Sequence, residues 1–278
     1  MNRLLTNAPS CPEYFADVQH KEEIARALTN SQPPPLRVKG WTRIVDYKYS
    51  HEPLSAIGSL HVSGRFNVGR DVDPEAFPVF SALYVAEDYD TAYAEKFSAG
   101  RQASGKESLA GHELSLRTTG SFSAVRVKGV LHNAFDLRNA RTLRTFASIV
   151  GKFELSSELK EMAEIVGNQG PYVARAPVDF KKSFLAENWR FGPMQYDFPA
   201  NAQIFGRLLL DAGFDAVVYP STKGAGDCVG VFIDNLVASD SFLELADDAP
   251  PGVKMNRLDR DTAIESIRGA DRGLSFLH

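Results

Sequence analysis

The sequence predicts an α+β fold. Two observations carry this. Short β-patterned segments follow one another with few helices between them. No Gly-x-Gly-x-x-Gly turn opens a helix after a strand, as a doubly wound dinucleotide fold would require. Hydrophobic residues make up 44% of the 278, enough for a substantial core.

Residues 1–36 read as an N-terminal arm. Glu22 to Leu28 predicts a short helix with Ile24, Ala25 and Leu28 on one side, and Gln32-Pro33-Pro34-Pro35 ends it as a linker. The domain proper is expected over 37–238. Trp41-Thr42-Arg43-Ile44-Val45 has the β-branched and aromatic content of a strand. Gly58 to Gly69 reads as a strand flanked by turns, and Leu83-Tyr84-Val85-Ala86 as a short buried strand. Asp88 is placed to cap a helix from Tyr89 to Phe97, with Tyr89, Ala92, Tyr93 and Phe97 as its apolar stripe and Glu95 off it.

An insertion, mostly helical, is expected at about 101–190. It opens in the polar loop Ser98 to Gly111, and Phe122 to Val130 alternates as a strand within it. Residues 141–166 carry a helical face through Leu143, Phe146, Ile149 and Val150, then a second through Leu159, Met162 and Val166. The chain then reads as irregular to Pro199. A helix from Gln203 to Asp211 stops at Gly213. Strands follow at Phe214 to Tyr219 and Val229 to Ile233, separated by the turn Pro220-Ser221-Thr222. Residues 239–278 read as a C-terminal extension with one closing helix near Asp261 to Ile267.

Composition excludes several classes. The net charge of −4 argues against a dedicated nucleic-acid binder. No apolar run approaches a membrane span, and the N-terminus lacks a signal pattern. Two distant cysteines, Cys11 and Cys228, make neither a disulfide framework nor a metal site, and the six histidines show no ligand spacing. A soluble protein acting in the cytoplasm is expected, and delivery through a specialised secretion route stays open.

Gly64-Arg65-Phe66-Asn67 is the first chemical candidate. An Arg in a glycine-bounded strand offers a planar fork of donors to phosphate, and glycine lets a ligand approach the backbone. Asn67 suits a sugar hydroxyl or a neighbouring turn. Alone, the tetrapeptide reads more simply as turn chemistry. Tyr84 can stack on a flat heterocycle, and Glu95 can stabilise developing positive charge. Either alone reads as a core Tyr or a solvated helix Glu. Arg43 is either a solvent-side strand residue or a phosphate clamp. Ser221 lies outside any Gly-x-Ser-x-Gly elbow, so its hydroxyl is a partner for a ligand or for Glu95 rather than a nucleophile. Cys228 has no nearby His and is expected to pack in the core.

In order, these residues resemble the RES domain family: Arg43, then Gly64-Arg65-Phe66-Asn67, Tyr84-Val85-Ala86, Thr91-Ala92 and Glu95, then Gln203, Gly213-Phe214-Asp215-Ala216 and Tyr219-Pro220-Ser221. The resemblance spans about 38–100 and 186–234. Gly69 comes early after Asn67, a longer loop precedes Tyr84, and Asp227-Cys228 stands where the family often has another polar pair. The resemblance implies an ADP-ribosyltransferase-like core and a toxin that cleaves NAD+ at the nicotinamide–ribose bond. Glu95, Arg65, Tyr84 and Arg43 would be catalytic, and Arg43, Gly64, Arg65, Phe66, Asn67, Tyr84 and Ser221 would bind substrate. NAD+ would be substrate rather than cofactor, with no metal. The implied partner is a cognate antitoxin or immunity protein. ADP-ribosyl transfer to a protein or nucleotide, and a non-catalytic NAD-binding module, remain as alternatives.

Overall fold

The computed structural model describes residues 22–29, 34–75, 77–97, 121–152, 174–187, 189 and 199–268. The expected loop at Ser98 to Gly111, the second helix through Leu159, Met162 and Val166, and Cys11 lie outside them.

Helix α1 (22–29) precedes β1 (Leu36–Asp46). Then come α2 (Ile57–His61), β2 (Ala82–Ala86), α3 (Tyr89–Phe97), β3 (Phe122–Leu131), β4 (Ala134–Asp136) and α4 (Arg144–Val150). The second half holds α5 (Pro177–Phe184), α6 (Asn201–Asp211), β5 (Ala216–Pro220), β6 (Asp227–Phe232), α7 (Ile233–Leu236), β7 (Phe242–Leu245), β8 (Arg257–Leu258) and α8 (Ala263–Arg268). All eight strands join one sheet in the order β4-β5-β6-β2-β1-β3-β7-β8. Among the described strands, only β4 and β5 run parallel. The α+β expectation holds.

The sheet is buried on both faces, and strand alternation sorts side chains between two cores. Leu83, Val85, Val218, Val229 and Val231 belong to one. Ala82, Ala86, Val217, Tyr219, Cys228 and Phe232 belong to the other, with Tyr84 packed against it. This second core is aromatic: Phe135, Phe146, Phe184 and Phe205 meet edge-on or stacked at centroid distances of 4.3–6.2 Å.

Five expectations need correction. The arm does not stand apart from the domain, because Ile24, Ala27 and Leu28 are buried in the aromatic core. Ala27, not Ala25, completes that helical face. The sheet also continues past 238, since β7 pairs with β3 and β8 with β7, so that part of the extension is integral. Gly58 to Gly69 contains α2 and a turn instead of a strand. Finally, Tyr89 and Tyr93 point outward at 46% and 39% exposure, while Thr91 and Ala92 face the sheet.

Other local signals hold. Asp88 Oδ1 accepts the Thr91 N–H at 2.7 Å and caps α3. Gly213, with φ of +81°, lets Phe214 N–H reach Leu209 O and its own N–H reach Leu210 O, a Schellman stop for α6.

Candidate active site

The site forms where β2 and β5 end and β6 begins, on the aromatic face of the sheet. Strand register aligns it: Tyr84 lies opposite Gly230, and Tyr219 opposite Cys228.

Gly64-Arg65-Phe66-Asn67 is a tight turn tied by side chains from three places. Asn67 Oδ1 accepts the Gly64 N–H and the Tyr84 hydroxyl, each at 2.9 Å. Its Nδ2 donates to Ser59 O and Phe80 O. Asn67 is fully buried, so the structure gives it the turn-holding half of its two expected roles. The Tyr84 hydroxyl in turn accepts the Phe66 N–H at 2.9 Å. Gln203, 2% exposed, donates Nε2 to Gly64 O and Asn67 O, while its Oε1 accepts the Ala200 N–H at the start of α6.

Two residues of this turn serve the frame. Phe66 is fully buried and packs edge-to-face on Tyr219 at 4.9 Å, so it belongs to the core and not to a pocket wall. Outside a strand, the residue after Arg65 is free to pitch inward. Gly64 gives its N–H to Asn67 in the turn and its carbonyl to Gln203 of α6, and a methyl built on it would lie 2.5 Å from the Tyr84 ring. Tyr84 packs directly against this glycine.

Arg65 is 5% exposed. Its Nη1 donates to Phe184 O at 3.2 Å and Ala186 O at 2.8 Å, carbonyls at the C-terminal end of α5. A cation is favoured there by the helix dipole. Its Nη2 donates to Thr222 Oγ1 at 2.8 Å, and Trp189 lies over the guanidinium at 5.7 Å.

Glu95 faces the same loop from α3. Its Oε1 accepts the Ser221 hydroxyl at 2.6 Å and the Thr222 N–H at 3.2 Å. Oε2 takes no hydrogen bond from the described residues. Ser221 Oγ also accepts the N–H groups of Lys223 and Gly224, so its hydroxyl is spent on Glu95 and on its own turn. The loop is pressed onto α3, where Gly226 N–H donates to Thr91 Oγ1 at 3.0 Å. Arg65, Glu95 and Ser221 are thus brought together across the fold.

Arg43 stands on the far side of β2. Its Nε, Nη1 and Nη2 donate to the carbonyls of Pro53, Tyr84 and Ser55 at 2.7, 2.9 and 2.8 Å. Its described contacts are with the frame, and burial lowers its pKa to about 10, which leaves it charged at neutral pH. Sequence reasoning missed Gln203 as a clamp, Thr222 as a partner of both Arg65 and Glu95, and the α5 carbonyls. Only contacts across more than a hundred residues reveal them.

Burial raises the Cys228 thiol well above its ordinary value near 9, and the Glu95 charge adds to this. The fold therefore favours the neutral thiol. That contribution is complete below about pH 9 and shrinks as the pH rises past it, because unfolding then releases a proton. Urea unfolding of wild type and Cys228→Ala should diverge in slope above pH 9, by about 1.4 kcal/mol per pH unit. Parallel slopes would remove Cys228 as the cause.

A cavity of about 540 Å³ lies at the opposite end of β5, lined by His132, Asn133, Asp215, Asn235 and Ser239 among others. None of the candidate residues lines it. Its Asp215 carboxylate is already engaged by Asn133 N–H, Ser239 Oγ and Ser241 Oγ. Among the described residues, no group of three His, Cys, Asp or Glu could hold a metal, and no helix is long and apolar enough to cross a membrane.

Comparison with known proteins adds a family. The RES domain matches residues 40–245. Among solved structures, a chain of the M. tuberculosis MbcT–MbcA toxin–antitoxin complex aligns with a TM-score of 0.46 at 14% identity, over 88% of this chain and 97% of that one. No curated protein matches the chain.

Proposed function

Because the chain belongs to the RES domain family, we propose that it is a toxin-type enzyme that cleaves NAD+ at the nicotinamide–ribose bond. One observation carries the reading. Glu95 is held at one oxygen by Ser221 Oγ and Thr222 N–H, and its other oxygen takes no bond from the described residues.

Nicotinamide leaves NAD+ as a neutral base, and the ribose it leaves passes through an oxocarbenium-like state. A carboxylate fixed beside that ribose stabilises the cation more than the ground state, and so lowers the barrier. The Tyr84 ring, edged by Gly64 and Gly230, would take the nicotinamide. Arg65 would set the positive potential for the pyrophosphate side through donors its frame contacts leave over, while Arg43, tied to the carbonyls of Pro53, Tyr84 and Ser55, would hold the strand that carries Tyr84. Such a toxin needs a neutralising protein, so a cognate antitoxin or immunity protein is the partner we propose, with the cytoplasm as the site of action.

Purified protein incubated with NAD+ should release nicotinamide and free ADP-ribose. No release, with or without phosphate as acceptor, would sink the reading. ADP-ribose found on a protein or nucleotide by mass spectrometry would make the enzyme a transferase that uses the same pocket.

A further inference from the structure

Arg65 and Glu95 make no direct bond, yet one residue touches both. Thr222 Oγ1 accepts from Arg65 Nη2 at 2.8 Å, and Thr222 N–H donates to Glu95 Oε1 at 3.2 Å. A guanidinium can only donate, so the direction of the first bond is fixed. The neighbouring Ser221 cannot replace this link. Its hydroxyl is taken up by Glu95 and by the N–H groups of Lys223 and Gly224, and it does not reach Arg65.

We propose that Thr222 is a positioning residue for Glu95, which transmits the seat of Arg65 to the carboxylate. The inference rests on the NAD+-cleaving reading of the pocket. The chain of contacts starts at the end of α5, whose Phe184 and Ala186 carbonyls anchor Arg65 under Trp189. It passes through the Thr222 hydroxyl to the Thr222 N–H, and ends on Glu95 Oε1. Moving the guanidinium moves the loop, and moving the loop turns the carboxylate. Hydrogen bonds to a charged group in a site of low dielectric are stiff enough to carry such a displacement.

Thr222→Val keeps the side-chain shape and the backbone N–H and removes the hydroxyl that accepts from Arg65. It is expected to lower kcat for NAD+ cleavage about 10-fold, with KM changed less than about 3-fold. Thr222→Ser, which restores the acceptor, should return kcat to near wild type. Thr222→Ala removes the same acceptor with less bulk and should match Thr222→Val, which covers a failure of the valine to pack.

Trp189 gives a second readout that needs no turnover. Thr222→Val should shift tryptophan emission, the shift should be absent in Thr222→Ser, and it should vanish in a Trp189→Phe background. Wild-type kcat in both Thr222→Val and Thr222→Ala would overturn the proposal while the cleavage reading stands. Equal loss in Thr222→Val and Thr222→Ser would also overturn it. If the wild-type protein releases no nicotinamide, the cleavage reading falls and emission decides. A serine-reversible shift then upholds the coupling, and an unchanged spectrum ends it.

Discussion

Glu95→Gln should lower nicotinamide release by about 100- to 1000-fold while leaving the melting temperature within a few degrees. The asymmetry follows from how the carboxylate is held. Oε1 accepts both of its bonds, from Ser221 Oγ and Thr222 N–H. The amide oxygen of glutamine accepts the same two, so the loop stays docked on α3. What disappears is the negative charge. In the ground state that charge faces a substrate already carrying its cation on nicotinamide. In the transition state of the proposed cleavage the cation would have moved onto the ribose, next to Glu95. An interaction stronger in the transition state than before it appears in kcat, with little change in KM. Steady-state kinetics by nicotinamide release, with a thermal melt of each protein, checks both halves. Unchanged turnover would remove Glu95 from the chemistry, and a collapsed melt would make it structural.

Gly206→Ala is expected to lower the melting temperature by roughly 5–10 °C. Inside a helix the same change usually stabilises by up to about 1 kcal/mol. Here α6 lies directly on the turn that carries Arg65. A methyl at 206 would sit 2.1 Å from Phe66 O and 2.8 Å from its carbonyl carbon. Both obstacles are backbone, so no rotamer change relieves them. The helix must lift, and Gln203, one turn earlier on the same face, would lose its grip on Gly64 O and Asn67 O. Net destabilisation of about 2–3 kcal/mol is expected. A differential scan decides the matter, and an unchanged or raised midpoint would show that α6 slides freely over the turn.

Local chemistry made much of the frame legible in the sequence. Asp88 capped α3 and Gly213 stopped α6 as expected, because each signal acts within four residues. The strands at Leu83 to Ala86 and Phe122 to Val130 were clear from their patterns. The turn at Gly64 was not, since glycine and asparagine suit a turn or a hairpin strand equally. Its shape is set by Asn67, Tyr84 and Gln203, the last of them 139 residues from the carbonyl of Gly64 that it holds. Helix α5 was hidden in a proline- and aromatic-rich stretch, although Pro177 is well placed at its first turn. The short strands β7 and β8 carry too few residues for a period to show. For the site, residue types and their order pointed to Arg65, Glu95 and Ser221. The division between atoms spent on the frame and atoms left open was invisible, because it depends on hydrogen bonds that only the folded chain makes.

The sequence separation of 126 between Glu95 and Ser221 also sets a clock. At roughly 5–20 residues per second, a ribosome makes Glu95 about 6–25 s before the serine that orients it. The helix at 22–29 waits longer still for the aromatic core of α6 and β5. A nascent chain carries the carboxylate early and the means to aim it late. Synthesis itself therefore withholds competence until most of the polypeptide has emerged.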